Sequence, residues 1–181
     1  MSIKKEKEYY TIDDIFALPE NERAELIDGQ IYDMAPPNRM HQKISTKLAS
    51  AIDRYISDKN GNCEVYSAPF AVFLNEDDKT YVEPDISVIC DVNKLNDKGC
   101  NGAPDWIIEI ASPSSEKMDF GIKQFKYCSA RVREYWVVDI SQKKVTVFDF
   151  ENENLCEYEF NRKIPVAIFN GELQIDFSKF N

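Results

Sequence analysis

A single histidine, His41, stands in 181 residues, and no G-x-S-x-G elbow presents a serine beside it. A serine or cysteine hydrolase triad, which needs a histidine at a shaped nucleophile, is therefore disfavoured. The six glycines form no phosphate-cradling loop, and no H-E-x-x-H occurs, so neither P-loop nor zincin chemistry has its framework. Cys63, Cys90, Cys100, Cys128 and Cys156 include no C-x-x-C pair, which excludes zinc-finger and thioredoxin-like spacing. Their odd number and wide spacing predict a reducing compartment, with the cysteines mostly as small buried hydrophobes. No apolar run reaches the ~18 residues that a membrane span needs, and the Lys/Glu-rich start lacks an apolar h-region. A cytoplasmic protein with no membrane association is expected. Basic residues are scarce as well: 22 Lys and Arg face 32 Asp and Glu, a net charge of −10. That excludes a generally basic surface of the histone or membrane-binding kind, while leaving room for a local basic strip or for carboxylates masked by metal ions.

The chain does have enough apolar residues, 43%, for a core. Its length predicts one domain, residues 11–181, after a tail of residues 1–10. Thr11 with Asp14 fits a capping box ahead of a short helix. Asp28-Gly29 between Arg23–Ile27 and Gln30–Met34 predicts a tight N-terminal β-hairpin. After Pro36-Pro37, Asn38 caps a long helix in which Ile44, Leu48, Ile52, Tyr55 and Ile56 recur at three- and four-residue steps. Strands are expected at 63–74, 82–90, 106–111, 134–140 and 144–150, with a weaker one near 156–160. A loop is expected at 93–104 and a helix at about 116–131, its N-caps offered by Ser112-Pro113-Ser114-Ser115 and its core stripe marked by Met118, Ile122 and Phe125. The order predicts an α/β (α+β) fold, a mixed β-sheet with helices on its faces.

Two carboxylates interrupt apolar strands. Glu109 lies within Trp106-Ile107-Ile108-Glu109-Ile110-Ala111, and Asp85 within Val82-Glu83-Pro84-Asp85-Ile86-Ser87-Val88-Ile89. A buried carboxylate is costly unless a cation or donors compensate it. If the two strands are neighbours, the pair offers hard oxygen ligands suited to Mg²⁺ or Mn²⁺; otherwise Asp85 ends a strand after a proline and Glu109 pairs with a buried Lys or Arg. On the following helix Asp119, Lys123, Lys126 and Tyr127 can approach that site, and periodicity does not choose between the two lysines. Glu25 is either a third carboxylate or a solvated hairpin residue, and His41 either a packed, hydrogen-bonded residue or a cleft residue.

The series Glu25-Leu26-Ile27-Asp28-Gly29, Ala35-Pro36-Pro37, His41-Gln42, Pro84-Asp85, Ala103-Pro104-Asp105, Glu109 to Ser115, Asp119, Lys123, Tyr127 and Arg133-Glu134-Tyr135-Trp136 resembles the Uma-two family of restriction endonucleases, over about Thr11 to Phe177. The family is a branch of the PD-(D/E)XK nuclease superfamily. The resemblance implies a restriction-endonuclease-like mixed sheet flanked by helices and a metal-dependent hydrolysis of DNA phosphodiesters. Pro84-Asp85 matches the PD and Glu109 the acidic position. The superfamily lysine falls at Ala111 and is missing; Lys123 on the next helix matches the lysine of this branch, with Lys126 as the spare. Asp85, Glu109 and the Ile110 carbonyl would hold Mg²⁺ (or Mn²⁺), Glu25 would support it, and His41 and Tyr127 would stand near the cleft.

DNA is the implied partner, and a homodimer follows by analogy. A short basic strip, drawn from Lys117, Lys123, Lys126, Arg131, Arg133, Arg39 and Lys43, would meet the phosphates. Two rival functions stand beside the nuclease: a nuclease-fold protein that no longer cuts and serves as a nucleic-acid-binding or regulatory module, and an acidic scaffold whose Asp85 and Glu109 are paired structurally.

Overall fold

The computed structural model describes residues 8–112 and 115–180. The expected capping contributions of Pro113 and Ser114, and residues 1–7 of the tail, lie outside the described residues.

Helix α1 (Ile12–Phe16) starts at the expected box, where the Thr11 amide donates to Asp14 Oδ2 at 2.9 Å. Strands β1 (Ala24–Ile27) and β2 (Gln30–Asp33) form the hairpin. Asp28 and Gly29 make its turn with φ of 51° and 76°, the left-handed conformations that this dipeptide tolerates. The side chain of Asn38 accepts the Met40 and His41 amides at the start of α2 (Arg39–Asp58), which buries Ile44, Leu48, Ile52 and Ile56 along one side.

The expected strand 63–74 is two pieces, β3 (Glu64–Ser67) and β4 (Val72–Phe73). Pro69 intervenes, and a proline has no amide to continue a ladder. Pro84 likewise confines the next strand to β5 (Ile86–Ile89). The expected loop 93–104 is more ordered than its Gly and Asn content suggests: β6 (Leu95–Asn96) and β7 (Gly99–Asn101) pair there, and β7 runs parallel to β4. Gly99 permits that approach. Its φ is 139°, and an added Cβ would lie 2.2 Å from the Ala71 carbonyl oxygen, which accepts the Cys100 amide. Gly99→Ala is expected to cost about 2 kcal/mol, read as a lower denaturant midpoint.

The chain continues through β8 (Trp106–Ala111), a helical segment, β9 (Glu134–Asp139), β10 (Lys144–Asp149), β11 (Asn154–Glu159), β12 (Lys163–Pro165) and β13 (Gln174–Asp176). Six strands make the main sheet in the order β11-β10-β9-β8-β5-β3, parallel only at β8–β9. This is the expected mixed sheet. Along β8, Trp106, Ile108 and Ile110 pack into the cluster that contains the apolar row of α2, while Ile107 and Ala111 pack with Tyr127 on the opposite side. Glu109, between them in the pleat, faces the Tyr127 side.

The cysteines depart from expectation. Glu64 opposite Ile89 carries the residues just outside the β3–β5 ladder into register, and there Cys63 and Cys90 form a disulfide. Cys100 is the buried free thiol; Cys128 is exposed and Cys156 partly so. Among the described residues, no helix is long and apolar enough to cross a membrane.

Candidate active site

Ile86 stands opposite Ile108 in the antiparallel β5–β8 ladder. One step further along that register, Asp85 meets Glu109. The Asp85 amide donates to Glu109 Oε2 at 3.4 Å, and the Ile110 amide donates to Asp85 Oδ2 at 2.7 Å. Strand adjacency therefore joins the two carboxylates that the sequence left apart. The contact that Ile110 makes with Asp85 is through its N–H.

Lys123 closes the other side. Its Nζ donates to Glu109 Oε1 at 2.9 Å and lies 2.7 Å from Glu25 Oε2, with only 6% of the residue exposed. Tyr127 also donates to Glu109 Oε1, at 2.8 Å. Glu25 is brought over by its hairpin, whose Leu26 bridges to Tyr81, and its Oε1 accepts the Glu83 amide at 3.0 Å. It is thus a buried member of the site, where a solvated hairpin residue was the alternative. Lys126 turns away to Asp28 on the rim. Lys123 is the lysine at Glu109. His41 reaches Asp85 from the start of α2, Nε2 to Oδ2 at 3.0 Å, while its Nδ1 is buried without a partner among the described residues.

The helix that carries Lys123 keeps Met118 of the expected core stripe against the core and overturns the rest of it. Residues Met118–Lys123 form a π-helical stretch that runs into α3 (Gln124–Ser129). Ile122 is 41% and Phe125 64% exposed, whereas Asp119, Lys123 and Tyr127 are buried. A π turn closes on the fifth residue, so it is wider than an α turn and keeps positions four apart on one side. The polar row 119-123-127 faces inward because its charges meet partners there.

One ammonium serves several acids. Burial, above all, pushes the Glu109 carboxyl up to about 8; Lys123 opposes this, and Asp85, Asp119 and Glu25 add to it. Asp119, also buried and close to Lys123, is raised to about 6 for the same leading reason. Lys123 is held well above its ordinary range, because attraction to Glu109, Glu25 and Asp119 outweighs its burial. The negative excess around Lys123 favours a further proton or a cation.

Among the described residues, no three His, Cys, Asp or Glu side chains converge as a complete metal cage. A two-carboxylate donor set still fits Mg²⁺, which keeps several waters and commonly takes one or two protein carboxylates beside a substrate phosphate. The observation behind that fit is the donor set itself: buried Glu109 and half-buried Asp85 stand side by side across the β5–β8 ladder.

Residues 7–178 match the Uma2 family model, described as "Putative restriction endonuclease". The chain belongs to the Uma2 family. A protein of Synechocystis sp. named only as uncharacterized is 26% identical over 161 residues, covering 87% of this chain and 83% of that protein. The crystal structure of an Anabaena variabilis protein, titled "a putative nuclease belonging to DUF820", superposes with a TM-score of 0.76 at 21% identity, over 94% of this chain and 96% of the other. That likeness establishes the fold for the Uma2 chain.

One feature of this Uma2 site escaped the sequence and another was legible only in part. Asp119 was visible on the helix, but only burial beside Lys123 makes it part of the charge balance. Glu83 is buried too, accepting from Tyr81 Oη at 2.6 Å and Arg23 Nε at 3.0 Å. Its signal was the acid next to Pro84; its partner Arg23 comes from the start of the hairpin and was not predictable from spacing.

Proposed function

We propose that this Uma2 chain is a divalent-metal-dependent endonuclease that hydrolyses phosphodiester bonds of DNA. The observation that carries this reading is Asp85 opposite Glu109 across the β5–β8 ladder, with Lys123 held between Glu109 and Glu25.

Bound Mg²⁺ or Mn²⁺ supplies Lewis-acid polarisation of the phosphate and a water of lowered pKa, with Asp85, Glu109 and the Ile110 carbonyl as the groups that would hold it. The remaining roles belong to the chain itself. Lys123 provides positive charge for the negative charge that develops on the phosphoryl oxygens. Glu25 anchors Lys123 from the hairpin side. Tyr127 holds Glu109 through its hydroxyl and His41 holds Asp85, so both carboxylates have fixed orientations. Burial of the Glu25–Lys123–Glu109 bridge keeps these charges in a low-dielectric setting, where they act more strongly than in water.

The test is incubation of the purified protein with plasmid and with single-stranded DNA in Mg²⁺ or Mn²⁺, beside Asp85→Asn. Equal cutting by parent and variant would assign the activity to a contaminant and overturn the proposal. Binding without cutting by the parent would instead support the binding-module alternative. Tyr127→Phe supplies a finer check. It removes one donor from Glu109 and is expected to lower the single-turnover cleavage rate about tenfold, at a stability cost of about 1 kcal/mol.

A further inference from the structure

Three of the seven cations of the expected basic strip are engaged by acids of the chain itself. Lys123 is buried in the site, Lys126 pairs with Asp28, and Arg133 pairs with Asp105 and Glu151. Helix α2 carries two of the others, Arg39 and Lys43, in a longer stripe. Arg39, Lys43, Lys47 and Arg54 fall within an arc of about 80° on its wheel, facing away from the buried row Ile44, Leu48, Ile52 and Ile56. The only acids of α2, Asp53 and Asp58, lie outside that arc. None of the four cations forms an ion pair among the described residues, unlike Lys59, which pairs with Glu172 below the stripe.

Beyond its midpoint the stripe opens into a groove of about 590 Å³, between α2 and the C-terminal segment. Thr46, Lys47, Ser50 and Arg54 line one wall; Gln174 and Lys179 line the other. Asp176, the acid in the groove, is 3.9 Å from Lys179. The opposite end of the stripe shares the N-terminal end of α2 with the candidate active site: His41, which contacts Asp85, follows Arg39 by two residues but lies about 200° round the wheel, on the inner side of the helix. From Arg39 to Arg54 the helix advances about 22 Å, a length over which one strand of duplex DNA presents about six phosphates.

A run of unpaired cations on a chain of net charge −10 calls for a polyanion. We infer that the outer face of α2 and its groove form the track for the phosphodiester backbone of DNA on one side of the cut. The identity of that polyanion rests on the nuclease proposal; the track itself is a separate claim about where the backbone lies. Each phosphate contact contributes about 0.9 to the slope of log affinity against log salt.

The experiment is fluorescence anisotropy of labelled duplex with the full chain in EDTA, across a salt series. The parent is compared with Lys47→Ala/Arg54→Ala and with a control pair, Lys98→Ala/Lys143→Ala, whose positions are exposed and off the stripe. Plasmid cleavage and sedimentation are run on the same preparations. The α2 variant is expected to lose about 2 from the salt slope and roughly 50-fold in affinity at ~0.1 M salt, while the control pair matches the parent.

An unmoved slope in the α2 variant, with the parent still cutting plasmid, overturns the track and leaves the nuclease standing. Loss of binding in that variant, with a parent that never cuts, supports the track and overturns the nuclease. A parent that neither binds nor cuts overturns both. A parent dimer that the α2 substitutions dissociate, with DNA affinity unmoved, means that the stripe seats the acidic surface of a second copy and overturns the track.

Discussion

Lys123→Met is expected to destabilise the protein by about 3–5 kcal/mol at pH 8, and so to lower the melting temperature by roughly 10 °C. The side chain is buried, and it is the ammonium within 3 Å of both Glu25 and Glu109. Methionine fills similar space and supplies no charge, so buried carboxylates lose their compensation. The penalty should shrink at pH 5. There Glu109 and Asp119, whose folded-state values are raised to about 8 and about 6, already carry protons and need the cation less. Thermal melts at the two pH values measure this; an equal loss at both would mean that Lys123 contributes packing alone. Cleavage should also fall by about 10²–10³, the usual loss on removing a charge that stabilises a transition state.

Glu109→Gln is expected to abolish cleavage by a factor of about 10³ or more, some 4 kcal/mol of barrier, while leaving the fold intact. The amide is isosteric, and its oxygen still accepts from Lys123 and Tyr127. The pH dependence of stability separates this from a folding defect. Glu109 ordinarily titrates near 4.5, and in the folded state near 8. The folded protein therefore holds this proton more tightly than the unfolded chain does, and the metal-free parent loses stability as pH rises from about 4.5 to about 8. The amide of the variant has no such proton to lose, so the slope over that window should flatten. Mg²⁺ should raise the parent's melting temperature more at pH 8 than at pH 5, because the cation competes with the proton for the same carboxylate. A parent whose stability is flat across the window would contradict this picture of Glu109, and so would a Mg²⁺ effect that survives in Glu109→Gln.

Much of the fold was legible because it obeys local rules. The Asp28-Gly29 turn, the Asn38 cap and the four-residue row of α2 each rest on the conformational preference of a few neighbouring residues. Strands β8, β9 and β10 were marked by apolar runs bounded by turn residues. Asp85 and Glu109 stood out because each carboxylate interrupts such a run. Local rules failed where a distant partner decided the outcome. Ile122 and Phe125 look like a core stripe at α-helical spacing, yet they face solvent, because the π turn gives the inward side to a row whose charges find partners on other elements. The segment 93–104 reads as a loop until β4 supplies a neighbour for β7.

The sequence by itself determined the inventory of the candidate site: two strand carboxylates, a hairpin glutamate, two helix lysines, a tyrosine and one histidine, in a chain with a deficit of positive charge. Only the tertiary structure decided which of these meet. The antiparallel register of β5 on β8 sets Asp85 against Glu109, the fold-back of the hairpin adds Glu25, and the π turn admits Lys123 while sending Lys126 to the rim. The reason is physical. Register, crossover and helical pitch are settled by which arrangement buries the most apolar surface while giving buried charges partners, and that balance is struck between segments far apart in the chain.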